Sequence, residues 1–246
     1  MNMRISVNDL YKSYGKKTIL HGFDGEFSLK EGRIIGLVGP NGAGKTTLLK
    51  VISGILGYDS GIVQLDSNGS AHFDKWCKSH VVLINSGERG LRYKSTVYDN
   101  VMYFCALKGA SLIQVKKLYN VFADLLHFSD FSARKVETLS TGEMKKANIL
   151  CGLCANTDVI VLDEPTSGLD IEATADLQEC LVAVAKSLSS TLIVSSHDVD
   201  FLSSITSNFV FIFDGKNVFE TNAHLTGPEI KNKYFELREQ YRTGGV

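Results

Sequence analysis

The stretch Gly39-Pro40-Asn41-Gly42-Ala43-Gly44-Lys45-Thr46-Thr47 carries the residue types that grip a phosphate. It fits the spacing G-x-x-x-x-G-K-[ST], in which glycines let the backbone approach an anion closely and a lysine supplies a fixed cation. The apolar run Ile34 to Val38 enters it as a buried strand, and Thr46 to Ile52 leaves it as a helix. The free N–H groups and positive end of that helix then face the anion. On this pattern Lys45 reaches the β- and γ-phosphates of a nucleotide and the Thr46 hydroxyl ligands Mg²⁺, with Thr47 a structural residue of the helix start. Strand, loop, Lys-Thr and helix in register make an ordinary glycine turn a poor explanation.

A second group of residues supplies what a phosphate loop lacks. Val159-Ile160-Val161-Leu162 reads as a buried strand that ends in Asp163-Glu164-Pro165. An acid at the carboxyl end of a parallel strand beside a phosphate loop is placed to hold Mg²⁺, directly or through water, and Asp163 takes that role. Glu164 is one residue on, so strand alternation points it the opposite way, where it takes a proton from an attacking water. Thr191 to Ser195 is another buried strand, with Ser196-His197-Asp198 at its carboxyl end, the place for a γ-phosphate sensor; His197 is that candidate. Tyr14, ahead of the loop, is the candidate for stacking on a base and Tyr11 the runner-up; on residue pattern alone, packing of either ring on a sheet fits equally well.

The elements that must position these groups follow in order. Arg4 to Leu10 alternates as a strand, Tyr11 to Lys17 reads as a turn, and short strands follow around Thr18 to Leu20 and Phe23 to Leu29. After the first helix come a loop from Gly54 to Gly61, a strand Ile62 to Leu65, a polar turn from Asp66 to Ser70 and the buried strand Val81 to Ile84. Helical periodicity then dominates over Val97 to Leu107, Ser111 to Leu126 and Gly142 to about Cys154, a block inserted between sheet strands that suits the docking of a partner. Ile171 to Leu188 is helical, Phe209 to Phe213 and Asn217 to Glu220 form a hairpin over Asp214-Gly215, and residues 221 to 246 read as a short polar helix with a frayed end.

With 26 basic and 27 acidic side chains the formal charge is −1, so the overall balance recruits neither nucleic acid nor an anionic membrane surface. No apolar run approaches the length that spans a bilayer and the N-terminus carries no signal-like segment, so the chain is expected in the cytosol. Five scattered cysteines fit reduced thiols, and Cys151 and Cys154, a lone C-x-x-C in an apolar helix, read as core residues instead of zinc ligands.

One further stretch narrows the class. Leu139-Ser140-Thr141-Gly142-Glu143 opens the third helix of the inserted block just upstream of the Asp-Glu strand. It resembles the signature of the ATP-binding cassette (ABC) family, usually Leu-Ser-Gly-Gly-Gln, and Ser140 with Thr141 and Gly142 at a helix N-terminus suits a second anion. The resemblance covers residues 1 to 220. It implies a P-loop NTPase (RecA-like) α/β core with a mostly parallel sheet, an N-terminal antiparallel β subdomain and a helical subdomain over roughly 88 to 150, followed by a short tail, 221 to 246. It further implies that two cassettes, identical or related, pack head to tail, each ATP with its Mg²⁺ lying between the phosphate loop of one and the Ser140-Gly142 loop of the other. Tyr14 would stack on adenine, Ser167-Gly168-Leu169-Asp170 would be the loop that crosses the dimer, and His197 the switch histidine. The chain departs from the pattern at Thr141 and Glu143, and the Gln expected after Ile84 is absent; Asn85 or Glu88 stands in its place. The implied function is the ATP-hydrolysing subunit of a transporter, with the signature variant tilting toward an exporter, working beneath separately encoded transmembrane permease subunits on the inner face of the membrane. The alternative is a cytosolic ABC ATPase acting on a macromolecular complex.

Overall fold

The computed structural model describes residues 3–65, 73–85 and 90–242. Two sheets organise it. Strands β1 (Met3–Tyr14), β2 (Lys17–Leu29) and β4 (Ser60–Leu65) form an antiparallel sheet in the order β2-β1-β4. Six strands form the second: β3 (Ile34–Val38), β5 (Val81–Ile84), β6 (Val159–Asp163), β7 (Thr191–Ser195), β8 (Asn208–Phe213) and β9 (Lys216–Thr221), ordered β5-β6-β7-β3-β8-β9. The first five are parallel and β9 turns back antiparallel on β8.

The sheet is buried on both faces, which is why its strands read as unbroken apolar runs. Alternation still sorts the side chains. Ile34, Val38, Ile160 and Leu162 face one core together with the helices α3 (Val97–Leu107), α4 (Leu112–Leu125), α5 (Thr141–Cys154), α6 (Ile171–Ser187), α7 (Val199–Ile205) and α8 (Gly227–Arg242). Ile35, Leu37, Val159 and Val161 face the other, against α1 (Lys45–Ile52), α2 (Phe73–His80) and the apolar side of the antiparallel sheet at Ile5, Val7, Phe23 and Phe27. The order matters for function because β6, β7 and β3 are direct neighbours, so their carboxyl ends open on one spot.

Three local expectations give way. The turn expected over Tyr11 to Lys17 shrinks to Gly15-Lys16, since β1 stays paired with β2 through Tyr14↔Lys17. A bulge hides this from the sequence: Asp9 takes a φ of 48° and the register shifts between Val7 and Leu10, which resets the alternation. The same pairing makes one strand, β2, of the two short ones expected there. Helix α2 has no sequence counterpart; eight mostly polar residues bury only Phe73 and Cys77, one turn apart. The helix expected past residue 221 is α8, which buries Ile230 and Leu237 two turns apart against the main core. The turn expected at Asp66 to Ser70 lies outside the described residues.

The helical block is pinned at its start by polar contacts. Thr96 caps α3 in a reciprocal box with Asp99. Asn100, fully buried, accepts from the Arg92 N–H at 2.7 Å and donates to the Arg92 and Thr96 carbonyls at 3.1 and 2.8 Å. Asn100→Ala strands those backbone groups and should cost about 1–3 kcal/mol. A thermal melt should show the midpoint falling by about 2–10 °C in a chain of this size; an unchanged midpoint would mean water replaces the amide.

Candidate functional site

The loop between β3 and α1 is shaped by glycine. Gly42 and Gly44 hold φ of 85° and 98°, a region that side chains avoid. A Cβ on Gly39 would run into the Ile212 carbonyl and one on Gly44 into Leu20 and the Ile19 carbonyl, so the loop lies tight against β8 and β2 on its inner side. Nothing stands within 4 Å of such an atom on Gly42, where the loop is open. Helix α1 begins at Gly44 with no side-chain cap and no acid in its first turn. By contrast Thr96, Ser140, Asp170 and Asp198 cap α3, α5, α6 and α7. The N-terminal donors of α1 are therefore left for a bound anion.

Against this loop β7, which pairs with β3, and β6 beyond it bring their carboxyl ends. The Lys45 ammonium, on a residue 6% exposed, donates to the Gly39 and Pro40 carbonyls at 2.6 and 3.2 Å and lies 3.9 Å from Glu164 Oε1. Burial lowers its pKa, opposed by the charges of Glu164 and Asp163. The Thr46 hydroxyl donates to Asp163 Oδ2 at 2.8 Å, and the buried Ser195 hydroxyl donates to Oδ1 at 2.8 Å. Glu164 Oε2 accepts from the His197 backbone N–H at 3.2 Å and from His197 Nδ1 at 2.7 Å, which puts the imidazole proton of this pair on Nδ1. An ammonium, a helix N-terminus, a hydroxyl and a carboxylate on hard oxygen fit a polyphosphate with a small divalent cation.

Glu164 corrects one expectation. Strand alternation pointed it away from Asp163, yet both carboxylates face the Lys45-Thr46 end of the loop. Alternation stops with β6 at Asp163, and Glu164 takes a left-handed φ of 49°, with its N–H held by the Ser195 carbonyl at 3.1 Å and hydroxyl at 3.0 Å.

The other candidates are spread around this centre. Asn41 and Gly42 are exposed on the loop, while Ala43 and Thr47 are buried beneath it. Tyr14 is 50% exposed at the end of β1, near the hairpin from which Ile19 and Leu20 reach Gly44. Ser140 and Gly142 sit on the helical block; among the described residues no hydrogen bond or ion pair joins them to residues 39–47. Their end of α5 is already half used, because Ser140 and Glu143 cap one another's N–H groups at 2.7 and 3.3 Å. The N–H groups of Thr141 and Gly142 lie between those two, so the anion site expected there is narrower than the residue types alone imply. Asn85 follows β5 beside the end of β6, by the register Ile84↔Leu162; Glu88 lies outside the described residues. Ser195 was missed as a site residue, since a serine closing an apolar strand carries no motif.

The sequence profile described as "ABC transporter" matches residues 23–167. A tungstate uptake system ATP-binding protein of Peptoclostridium acidaminophilum is 31% identical over 87% of the chain and 96% of its own length. A lantibiotic transport ATP-binding protein of Streptococcus pyogenes is 28% identical over 88% and 90%. A dimeric ATP-binding cassette, solved in a post-hydrolysis state with ADP and Pi, superimposes with a TM-score of 0.75 at 21% identity, covering 89% of this chain and 98% of the other.

Ser195→Ala leaves Asp163 Oδ1 without its hydroxyl donor. The Mg²⁺ concentration for half-maximal ATP turnover should rise several-fold, at about 1–3 kcal/mol of stability. A Mg²⁺ titration with the same midpoint as wild type would mean that Thr46 alone orients Asp163.

Proposed function

The chain belongs to the ABC transporter family as an ATP-binding cassette, and we infer that it hydrolyses ATP between two cassettes to drive transport through separately encoded transmembrane subunits. The observation that carries this reading is the convergence of Lys45, Thr46, Asp163, Glu164 and His197 at the carboxyl ends of three adjacent strands. In this reading residues 39–47 cradle the phosphates and Lys45 turns from the Gly39 carbonyl to the β- and γ-oxygens. Thr46 and Asp163 would hold Mg²⁺, which would supply charge neutralisation on the polyphosphate. Glu164 accepts the proton of the attacking water and His197 reads the γ-phosphate, the 2.7 Å contact between them keeping the base in place. Tyr14 offers its exposed ring to adenine.

A second cassette completes the site. Among the described residues no hydrogen bond joins the Ser140-Gly142 loop to the phosphate loop of its own chain, which supports its use by a partner's ATP. Ile171, beside the Ser167 to Asp170 loop, is 89% exposed, an apolar side chain that a second copy would cover. Cassettes of the family dimerise, and the dimeric relative supports the same closure here.

No helix among the described residues is long and apolar enough to cross a membrane. In this reading the membrane subunit is a separate chain. A groove of about 440 Å³ along the edge strand β5, lined by Val82, Ile84 and Phe104 and rimmed by the exposed Ile55 and Leu107, is the apolar surface we assign to it. The cassette then works on the cytoplasmic face. The export reading draws on Thr141 and Glu143, but Glu143 is spent on capping its own helix, and the relatives include an uptake system. ATP-driven closure serves either direction.

Glu164→Gln should keep ATP affinity, lower turnover by about 100-fold or more, and trap an ATP-bound dimer in gel filtration with Mg-ATP. A mutant that elutes only as a monomer would sink the shared site. In a second experiment, mild detergent extracts of native membranes should yield a polytopic membrane protein with the wild-type chain and little with Leu107→Glu, at equal ATP affinity. Recovery of ribosomes or soluble complexes alone would move the assignment to the cytosolic alternative.

A further inference from the structure

Lys145 is a buried cation that the reading above does not use. It sits on α5, five residues after the cap Ser140, and is 8% exposed. A buried ammonium is costly unless it is fully engaged. This one reaches from the helical block into the core, donating to the Glu164 carbonyl at 2.9 Å and the Ser167 carbonyl at 2.5 Å. Desolvation lowers its pKa while the Glu164 and Asp163 charges act against that.

These two carbonyls bracket the turn that displays Glu164. Its left-handed φ of 49° costs a non-glycine residue about 1 kcal/mol or more and persists only when neighbours over-determine it. The Glu164 N–H is held by Ser195, its carboxylate by His197, and its carbonyl by the Ser167 N–H at 3.3 Å together with Lys145. Lys145 is the hold that comes from the helical block. The same helix carries Gly142, whose built Cβ would come within 3.9 Å of the Gly168 carbonyl in the next turn of the 164–170 segment.

We propose that Lys145 is a positioning residue: it clamps the Glu164-Ser167 turn to α5, so that the aim of the general base depends on where the signature helix stands. An ATP that engages Ser140 thereby bears on the Glu164 of the same chain through Lys145, about 7–8 Å further along the helix axis. This rests on the ATPase reading given above and adds a coupling within each cassette to it.

The test compares Lys145→Met and Lys145→Arg with wild type and with Glu164→Gln, all in the full chain. Lys145→Met preserves length and removes the ammonium; it should bind ATP with unchanged affinity and keep KM within about twofold, while kcat falls about tenfold or more, as expected for a misplaced base. Lys145→Arg restores two donors and should recover most of kcat. A kcat for Lys145→Met within about twofold of wild type overturns the proposal. So does equal loss in both variants together with equal loss of thermal stability, which marks a purely structural lysine. If Glu164→Gln still turns over, the assignment of Glu164 as general base fails and the clamp with it; if it is silent while Lys145→Met is fully active, only the clamp fails.

Discussion

A buried ammonium dominates this molecule. Lys45 lies at the start of a helix with almost no access to water, so its charge must be answered by the groups around it. The Gly39 and Pro40 carbonyls do so from the loop and Glu164 from across the sheet. That arrangement exists only because β3, β7 and β6 are neighbours with parallel direction, which brings three chain reversals to the same edge. Glycine at positions 42 and 44 is the backbone's share of the same requirement, since no other residue makes those turns without strain.

The acidic side of the site is organised by hydroxyls. Ser195 donates to Asp163 and accepts from the Glu164 N–H, so one side chain orients the carboxylate expected at the metal and the backbone of the expected base. Thr46 takes the other oxygen of Asp163. Cysteines play no part in this chemistry: burial pushes the Cys77, Cys105 and Cys180 thiols up to about 12 and raises those of Cys151 and Cys154 well above the ordinary thiol range, so they remain packing residues.

Much of the local structure is legible because it depends on residues close in sequence. Val81 to Ile84, Thr191 to Ser195 and Val97 to Leu107 are strands and a helix over the spans their patterns indicate. Ser140 with Glu143 and Thr96 with Asp99 announce helix starts three residues apart. Where a pattern was broken by a long-range event it misled. The β1 bulge at Asp9 interrupts the pairing with β2 between Val7 and Leu10, and the pairing then resumes across the sheet, so Tyr11 to Tyr14 continue as strand in spite of their polar look. Helix α2 packs Phe73, Trp76 and Cys77 against the core, but it is only eight residues long and mostly polar, too short for its apolar face to stand out.

The amino-acid sequence by itself determined the phosphate loop, the strands that end in Asp163 and Ser195, the family and the α/β class, because motif spacing and apolar periodicity act over a few residues. Tertiary structure alone decided how these pieces meet. It turned Glu164 toward Lys45 against the alternation rule, set Ser195 beside an aspartate 32 positions away and carried Lys145 onto the Glu164 turn 19 positions on. Such contacts join groups that share no local pattern, and only the packing of α5 and the strand order of the sheet create them.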